Sequence, residues 1–451
     1  MNKLPKIIDL FSGCGGLALG FEKAGFEIVA GIELMKDAIE TISYNLDYRY
    51  GKEATHICAD ITEVESSVFA NKFGEEGCIV IGGPPCQAYS MAGRGKLKSL
   101  GENRAHTNDA RGYLFKDFLR FALELDARAV IMENVPEATA FGDMNVPEIV
   151  CKELEDNNYT AFWTILNAAD YGVPQIRERI ILFAIKNCEN KRIELPQPTN
   201  MNIGVDVNLK KAKTKRNLES PHFVTPIEGE NVPAWVTVEE AFSDLPKLFT
   251  SATEKYRQSF MNVSKEYSSE PVNEYQKTIR SWYGYQTKKV TANVFRNTER
   301  DFPIFELMSP GDNYSQASEI ADRILEQQSR LYGISERTNV AEYEEMKKKI
   351  VPVYDRGKFD SKWRKLRPDT PSHTLVAHLC KDTYSHIHPW EPRGISVREA
   401  ARLQSFPDDF YFSCSMGEAY KQIGNAVPPL LAYGVAKAVY DAFMEGTNDN
   451  T

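Results

Sequence analysis

The feature that most restricts the fold lies in the first 185 residues, where seven short apolar runs alternate with stretches patterned like amphipathic helices. The runs are "KIIDLF", "EIVAGIE", "THICAD", "CIVIGG", "ARAVIMENV", "YTAFWTILNA" and "RIILFAI". Each has the length and apolar content of a buried strand, and "LFKDFLRFALELD" between two of them carries a helical period. Helices that alternate with strands cover both faces of one sheet. The pattern therefore predicts an α/β, Rossmann-like domain built on a doubly wound parallel sheet.

After about residue 190 the rhythm fails. Prolines, a basic run "KKAKTKR" at 210–216 and aromatic segments such as "SWYGYQ" follow without clear periodicity. Residues 1–189 are thus expected to form one domain and 190–395 a second, irregular one. From "SVREAARLQSF" helical patterning returns through "PPLLAYGVAKAVYDAFM", so 396–445 reads as a separate closing segment, and the tail "EGTNDNT" is expected to be disordered. A chain of 451 residues is long enough for this division.

The opening "MNKLPKIIDLF" has neither a signal-peptide core nor a cleavage site, and no run approaches the roughly 20 apolar residues that span a bilayer. The expectation is an intracellular protein with no membrane partner. The cysteines at 14, 58, 78, 86, 151, 188, 380 and 414 form no C-x-x-C pair, so neither a disulfide framework nor a metal site is expected. His378, His386 and His388 lie close together without a cysteine or carboxylate at ligand spacing. A net charge of −9 argues against non-specific coating of nucleic acid, but it leaves room for a basic groove.

Chemistry concentrates at strand ends. "IIDLFSGCGGLALGFEKAG" reads as strand, glycine turn and helix start, and Gly13, Gly15 and Ala18 satisfy a relaxed dinucleotide fingerprint. Glu33 closes the next strand and Asp60 follows the third. Either acid alone is more commonly a helix cap or a solvated side chain. Together, at successive strand ends, they favour a nucleoside cofactor. In "IGGPPCQAYS" two glycines and two prolines hold Cys86 on a stiff turn just past a strand, a place a structural thiol does not need. Glu133 in "VIMENV" ends a strongly apolar strand, where a carboxylate is costly unless paired or functional. "QIRERI" is expected to place Gln175, Arg177 and Arg179 on one face of a strand, where two guanidiniums need an anionic or carbonyl partner.

"DLFSGCGG", Glu33, Asp60, "GPPCQ", "ENV", "QIRER", "REAARLQSFP" and "QIGNAVPP" occur in the order of the DNA (cytosine-5) methyltransferases of prokaryotic restriction-modification type, and the chain resembles that family over residues 6–185 and 394–440. The resemblance implies an S-adenosylmethionine-dependent methyltransferase domain followed by a variable target-recognition domain. It implies Cys86 as nucleophile, Glu133 at ring nitrogen 3, Arg179 at the cytosine carbonyl and Arg177 in support. Phe11 would stack on the adenine, with Gly13, Cys14 and Gly16 in the turn. Glu33, Asp60, Ile61, Leu114, Asn425 and Val427 would complete the cofactor pocket. Residues 88–112 resemble the family's catalytic loop. Gln87, Ser90 and Arg94, with Thr374 of a short Thr-Leu element, would then touch DNA. The partners implied are double-stranded DNA and a restriction endonuclease acting separately, with the chain a monomer in the bacterial cytoplasm, at the nucleoid.

A nicotinamide oxidoreductase would explain the glycine turn and Glu33 but leaves Cys86, Glu133 and the arginines without purpose. An inactive homologue would be expected to lack the cysteine or the glutamate. An RNA cytosine-5 methyltransferase shares the fold, but its middle region is typically shorter than the roughly 200 residues here, a length that suits reading several base pairs.

Overall fold

In a computed structural model of the chain the described residues are 3–85, 110–189, 191–207, 213–255, 257, 259–352, 362–380 and 384–444. They fall into two compact units, Met1–Trp235 with Ala426–Thr451, and Val236–Asn425.

The first unit is built on one seven-stranded sheet, with a strand in each of the seven apolar runs. The strands are β1 (Lys6–Leu10), β2 (Ile28–Glu33), β3 (His56–Cys58), β4 (Cys78–Gly82), β5 (Ala129–Asn134), β6 (Tyr159–Asn167) and β7 (Glu178–Lys186). Their spatial order is β3-β2-β1-β4-β5-β7-β6. Strands β1 to β5 pair in parallel, but β7 runs antiparallel between β5 and β6. The expectation of a parallel sheet is corrected here: the sheet is mixed. Only residues 168–177 join β6 to β7, and a parallel crossover needs a dozen residues or more, so the two strands close as a hairpin.

Alternation along the strands fills a layer on each face. Ile8, Leu10, Val80, Val130 and Met132 pack with Phe118 and Phe121 of α3 (Phe115–Glu124) and Leu154 of α4 (Val146–Asp156). Ile7, Ile79, Ile81 and Ile131 face the other way, onto Leu17 and Phe21 of α1 (Gly16–Lys23). Helix α2 (Lys36–Leu46) connects β2 to β3. Leu431, Val435 and Val439, from the helix over Pro429–Met444, join the α1 layer, so the end of the chain is part of the first unit's core.

The second unit carries helices α5 (Val238–Phe242), α6 (Glu274–Arg280), α7 (Phe302–Leu307), α8 (Tyr314–Tyr332), α9 (Val340–Ile350), α10 (Val397–Leu403) and α11 (Met416–Asn425), and the Pro429–Met444 helix is α12. Its core is aromatic, with Phe249, Phe295, Phe302, Phe305, Tyr314, Trp363 and Tyr384 in one cluster. The "REAARLQSFP" motif is its scaffold. Arg402 is fully buried and ion-paired to Asp244 and Asp408, while Arg398 donates to the carbonyls of Thr291, Pro407 and Phe410. The 19-residue α8 is the element that the sequence reading passed over as irregular. Half of its buried stripe is small (Ala317, Ser318, Ala321), which blunts the periodic signal, although a capping box at Asn313 and Gln316 and a left-handed Gly333 mark its ends.

The units divide at 235 and 425, where the sequence reading set its divisions at 189 and 395. Two facts account for the difference. Residues beyond β7 stay on the first unit, since Val224 pairs with Trp163 and Trp235 donates to Asp170. Helix α10 belongs to the second unit through Arg402. Of the basic run, Lys213, Lys215 and Arg216 are in the first unit, and Lys213 and Lys215 pair with Glu228 and Glu219. The tail 445–451 lies outside the described residues. Among the described residues no helix is long and apolar enough to cross a membrane.

Candidate active site

The strand order reverses between β1 and β4, which pair in register with Leu10 opposite Gly82. The turns that leave these two strands therefore lie side by side at the carboxyl edge, where open α/β sheets bind ligands.

After β1, Phe11, Gly13 and Gly15 take φ of 58°, 55° and 92°. Glycine meets that requirement at two of the three positions, and Phe11 is the bulky exception. The turn is clamped to β2. Glu33 Oε2 accepts from the Gly13 amide at 2.9 Å, its Oε1 accepts from the Met35 amide at 2.8 Å, and the Ser12 amide donates to the Ile32 carbonyl. No atom lies within 4 Å of where a Gly13 Cβ would stand. A Gly16 Cβ, by contrast, would lie 2.2 Å from the Val427 carbonyl, so the close approach at this glycine is to the returning end of the chain. Phe11, Ile61 and Leu114 belong to one apolar cluster, and Cys14 is buried. Asp60 caps the short helix Ile61–Glu63, accepting from the Thr62 amide at 3.0 Å and its hydroxyl at 2.8 Å. Asn425 is the exposed last residue of the second unit.

Beside this turn lie Glu133 and the arginines. Arg179 Nε stands 2.9 Å from Glu133 Oε1, and the two side chains are only 11% and 12% exposed. The other carboxylate oxygen would be 2.9 Å from a Gly83 Cβ, so a larger residue there would push the acid from its place. Asn134 donates to the Pro84 carbonyl at 3.2 Å and fixes the Pro-Pro turn to β5. Burial pushes the Glu133 carboxyl above the usual carboxylate range, and the charges of Arg179 and Arg177 oppose that rise without cancelling it. Arg177 is fully buried and donates to the Ala426 carbonyl at 3.1 Å and to Gln175 at 3.4 Å. Gln175 and Arg177 precede β7, which begins at Glu178, so the single strand face expected for all three is corrected to a loop for two of them.

Cys86, Gln87, Ser90 and Arg94, with most of 88–112, lie outside the described residues. Thr374 is half-buried in the second unit, next to buried Leu375. Sequence reasoning missed Gly83, Asn134 and the Ala426 carbonyl as supports of the site. The unbroken "GGPP" and "ENVP" strings held a signal for the first two, whereas a carbonyl 249 residues away in sequence leaves none. It also passed over Asp9, 1% exposed, whose carboxylate oxygens have no hydrogen-bond partner among the described residues and whose carboxyl is pushed well up by burial and by Glu33.

The family described as C-5 cytosine-specific DNA methylase matches residues 5–441. A protein of Oceanobacillus iheyensis carrying the name of a type II methyltransferase is 53% identical over 97% of this chain and 96% of its own. The type II methyltransferase M.AgeI of Thalassovita gelatinovora is 30% identical over 96% and 99%. A solved Escherichia coli structure, titled as a DNA modification methyltransferase encoded within a prophage, shares the fold with a TM-score of 0.65 at 21% identity, covering 98% of this chain and 99% of that one. The chain is a DNA (cytosine-5) methyltransferase and belongs to the C-5 cytosine-specific DNA methylase family.

Proposed function

We propose that the protein methylates carbon 5 of a flipped-out cytosine within a specific duplex DNA sequence, with S-adenosylmethionine as methyl donor and Cys86 as a transient covalent nucleophile. The names of its relatives support reading it as the modification half of a restriction-modification system. We propose further that it acts as a monomer in the bacterial cytoplasm beside a separate endonuclease. The second unit would read the sequence. The observation that carries the proposal is the buried Glu133–Arg179 pair set against Gly83, three residues before Cys86.

S-adenosylmethionine, when bound, supplies an electrophilic sulfonium methyl group. The residues fit such a group: the space in front of Gly13 is open, and each Glu33 oxygen has a lone pair left for a hydroxyl. Phe11, Ile61 and Leu114 offer an apolar wall. Cys14, Gly16, Asp60, Asn425 and Val427 would complete the pocket, Asp60 with the oxygen not engaged at Thr62.

Cytosine carbon 5 is a poor nucleophile, and the chain's own groups change that. A free thiol is only a few per cent thiolate near neutrality. The Cys86 thiolate adds to carbon 6, forming a C–S bond and pushing the ring electrons toward nitrogen 3. Glu133, whose pKa burial raises, donates at nitrogen 3, and Arg179 donates to the carbonyl oxygen at carbon 2. Carbon 5 is then the nucleophilic end of an enamine, the form that accepts a methyl group. Loss of the carbon 5 proton to water re-forms the double bond and expels the thiolate. Extruding the base from the stack costs a few kcal/mol.

The test is a duplex carrying 5-fluorocytosine at a target already shown by bisulfite sequencing to be methylated. Fluorine cannot leave as a proton does, so the C–S bond should persist. A covalent complex is expected on denaturing gels, dependent on S-adenosylmethionine and mapping to Cys86. Turnover without trapping would overturn the mechanism.

A further inference from the structure

We infer that Arg364 in the second unit is a specificity-determining residue that reads a guanine of the recognition sequence, its guanidinium donating to O6 and N7 in the major groove. The inference rests on the methyltransferase reading above and adds to it the residue and the base.

The backbone around Arg364 is pinned on both sides. Its amide donates to the Tyr384 carbonyl at 3.0 Å, and its carbonyl accepts from the Ile387 amide at 2.8 Å. Trp363, which precedes Arg364, and Tyr384, which accepts from its amide, have φ of 52° and 37°, a region bulky side chains rarely adopt, and their rings meet edge to face at 5.5 Å. A loop serving only as a connection has no need of two such residues.

The side chain is half-buried, and its Nε is sealed from solvent without a hydrogen-bond partner. Among the described residues no carboxylate pairs with it. Burial lowers its pKa, with no opposing charge to offset the loss of water. An unpaired, desolvated guanidinium is costly unless an acceptor arrives from outside. Its planar fork then calls for two acceptors in one plane, which the edge of guanine presents.

A phosphate would be the other such acceptor, but the surroundings argue against it. Lys365 turns inward onto the carbonyls of Phe305 and Met308, and Arg367 is held by Asp369 at 3.1 and 2.8 Å. His373 and His386, whose titration senses the Arg364 charge, stack on each other at 4.0 Å. Burial drives both imidazoles to the neutral form, His386 down to about 3. His373 Nε2 lies 2.6 Å from the Ser385 carbonyl and His386 Nε2 lies 3.1 Å from the His373 carbonyl, so both rings are fixed. Among the described residues the result is one unpaired fork on a pinned backbone, beside a neutral, rigid wall. A phosphate contact carries no sequence information, whereas a base edge offers the fork two acceptors in one plane.

The experiment is methylation of a library of duplexes, randomised around the target cytosine and read by bisulfite sequencing, with full-length protein and its Arg364→Lys, Arg364→Gln and Arg364→Ala variants. All three variants should lose preference for guanine at one and the same position of the site. Discrimination there should fall about 5- to 140-fold, the value of a good bidentate pair, while the other positions stay as strict as before. Lysine should not restore it, because it keeps the charge without the fork. A uniform loss over all sequences, restored by lysine, would assign a phosphate contact and overturn the inference. So would unchanged specificity. Because Arg364 makes no side-chain bond among the described residues, its removal strands no partner there, and loss of cooperative melting in all three variants would also overturn it. Failure of the parent protein to methylate any member of the library would instead defeat the proposed function.

Discussion

Replacing Glu133 with glutamine keeps the shape and one carbonyl acceptor but removes the charge facing Arg179 at 2.9 Å. A hydrogen bond to a charged group is worth about 1.5–3 kcal/mol, which sets the loss of stability expected for Glu133→Gln. Alanine would strand the guanidinium, and breaking a buried pair in that way costs about 3–5 kcal/mol. Catalysis should suffer more than stability. A positioned acid contributes about 10²- to 10⁴-fold, and single-turnover methyl transfer should fall by that factor. The pH dependence separates the two effects. Burial raises the folded pKa of Glu133, against Arg179 and Arg177, so the protonated donor persists to higher pH than in a free glutamate and is lost as pH rises through the folded value. Between the unfolded and folded pKa the folded state binds more protons, so Glu133 lowers stability as pH rises through that window. Glutamine should remove both dependences. Labelled methyl transfer and urea unfolding, run at matched pH values, measure them. A Glu133→Gln protein within about threefold of the parent rate, far short of what a general acid supplies, would refute the assignment.

Glu33→Ala, which frees the Gly13 and Met35 amides, should weaken S-adenosylmethionine binding by about 1–3 kcal/mol in calorimetry, with Glu33→Gln intermediate. Gly16→Ala drives a methyl group to 2.2 Å from the Val427 carbonyl, a backbone atom, and should destabilise the first unit by about 1–3 kcal/mol in thermal unfolding. Outside the site, His222 bridges Glu148 at 2.7 Å and Glu155 at 2.9 Å on α4. Burial alone would lower its pKa, but hydrogen bonds to the two carboxylates outweigh that and raise it. Its stabilisation should be complete below the unfolded value of about 6.5 and lost as pH rises through the higher folded one. His222→Gln should flatten this slope in urea titrations.

The sequence located what depends on local pattern. Seven apolar runs became seven strands, and in the central ones, such as β4, burial on both faces demands a continuous apolar stretch. The glycines of the first turn were legible because φ values of 55° and 92° restrict the residue type. Other residues carry two duties that one letter cannot separate. Asp60 is a helix cap, the bland alternative, and still has an oxygen to spare. Gly16 admits the returning chain, and Glu33 braces the turn that it was expected to furnish with a ligand group. The buried arginines of "REAARLQSFP" look like surface charge in sequence, and only partners 158 residues away, such as Asp244, make them core.

One expectation was inconsistent with another, and the structure resolves them together. Glu133 is the fifth residue of β5 and so lies near the carboxyl edge of the sheet, while Arg179 is the second residue of β7. In a parallel sheet the start of β7 would lie at the amino edge, a strand's length from the acid, and Arg179 could not have served the same site. Because β7 is reversed, its beginning comes to the edge where β5 ends. Glu133 pairs with Ile181, and Arg179 lies two residues further along the same edge, within reach of the carboxylate. Arg177, one step beyond the strand, reaches Ala426, where the chain re-enters the first unit. The hairpin that breaks the parallel order therefore brings acid and guanidinium together, and the cause is the shortness of the segment 168–177. A chain with that segment lengthened enough to allow a parallel crossover would have the same motifs in the same order and no Glu133–Arg179 pair.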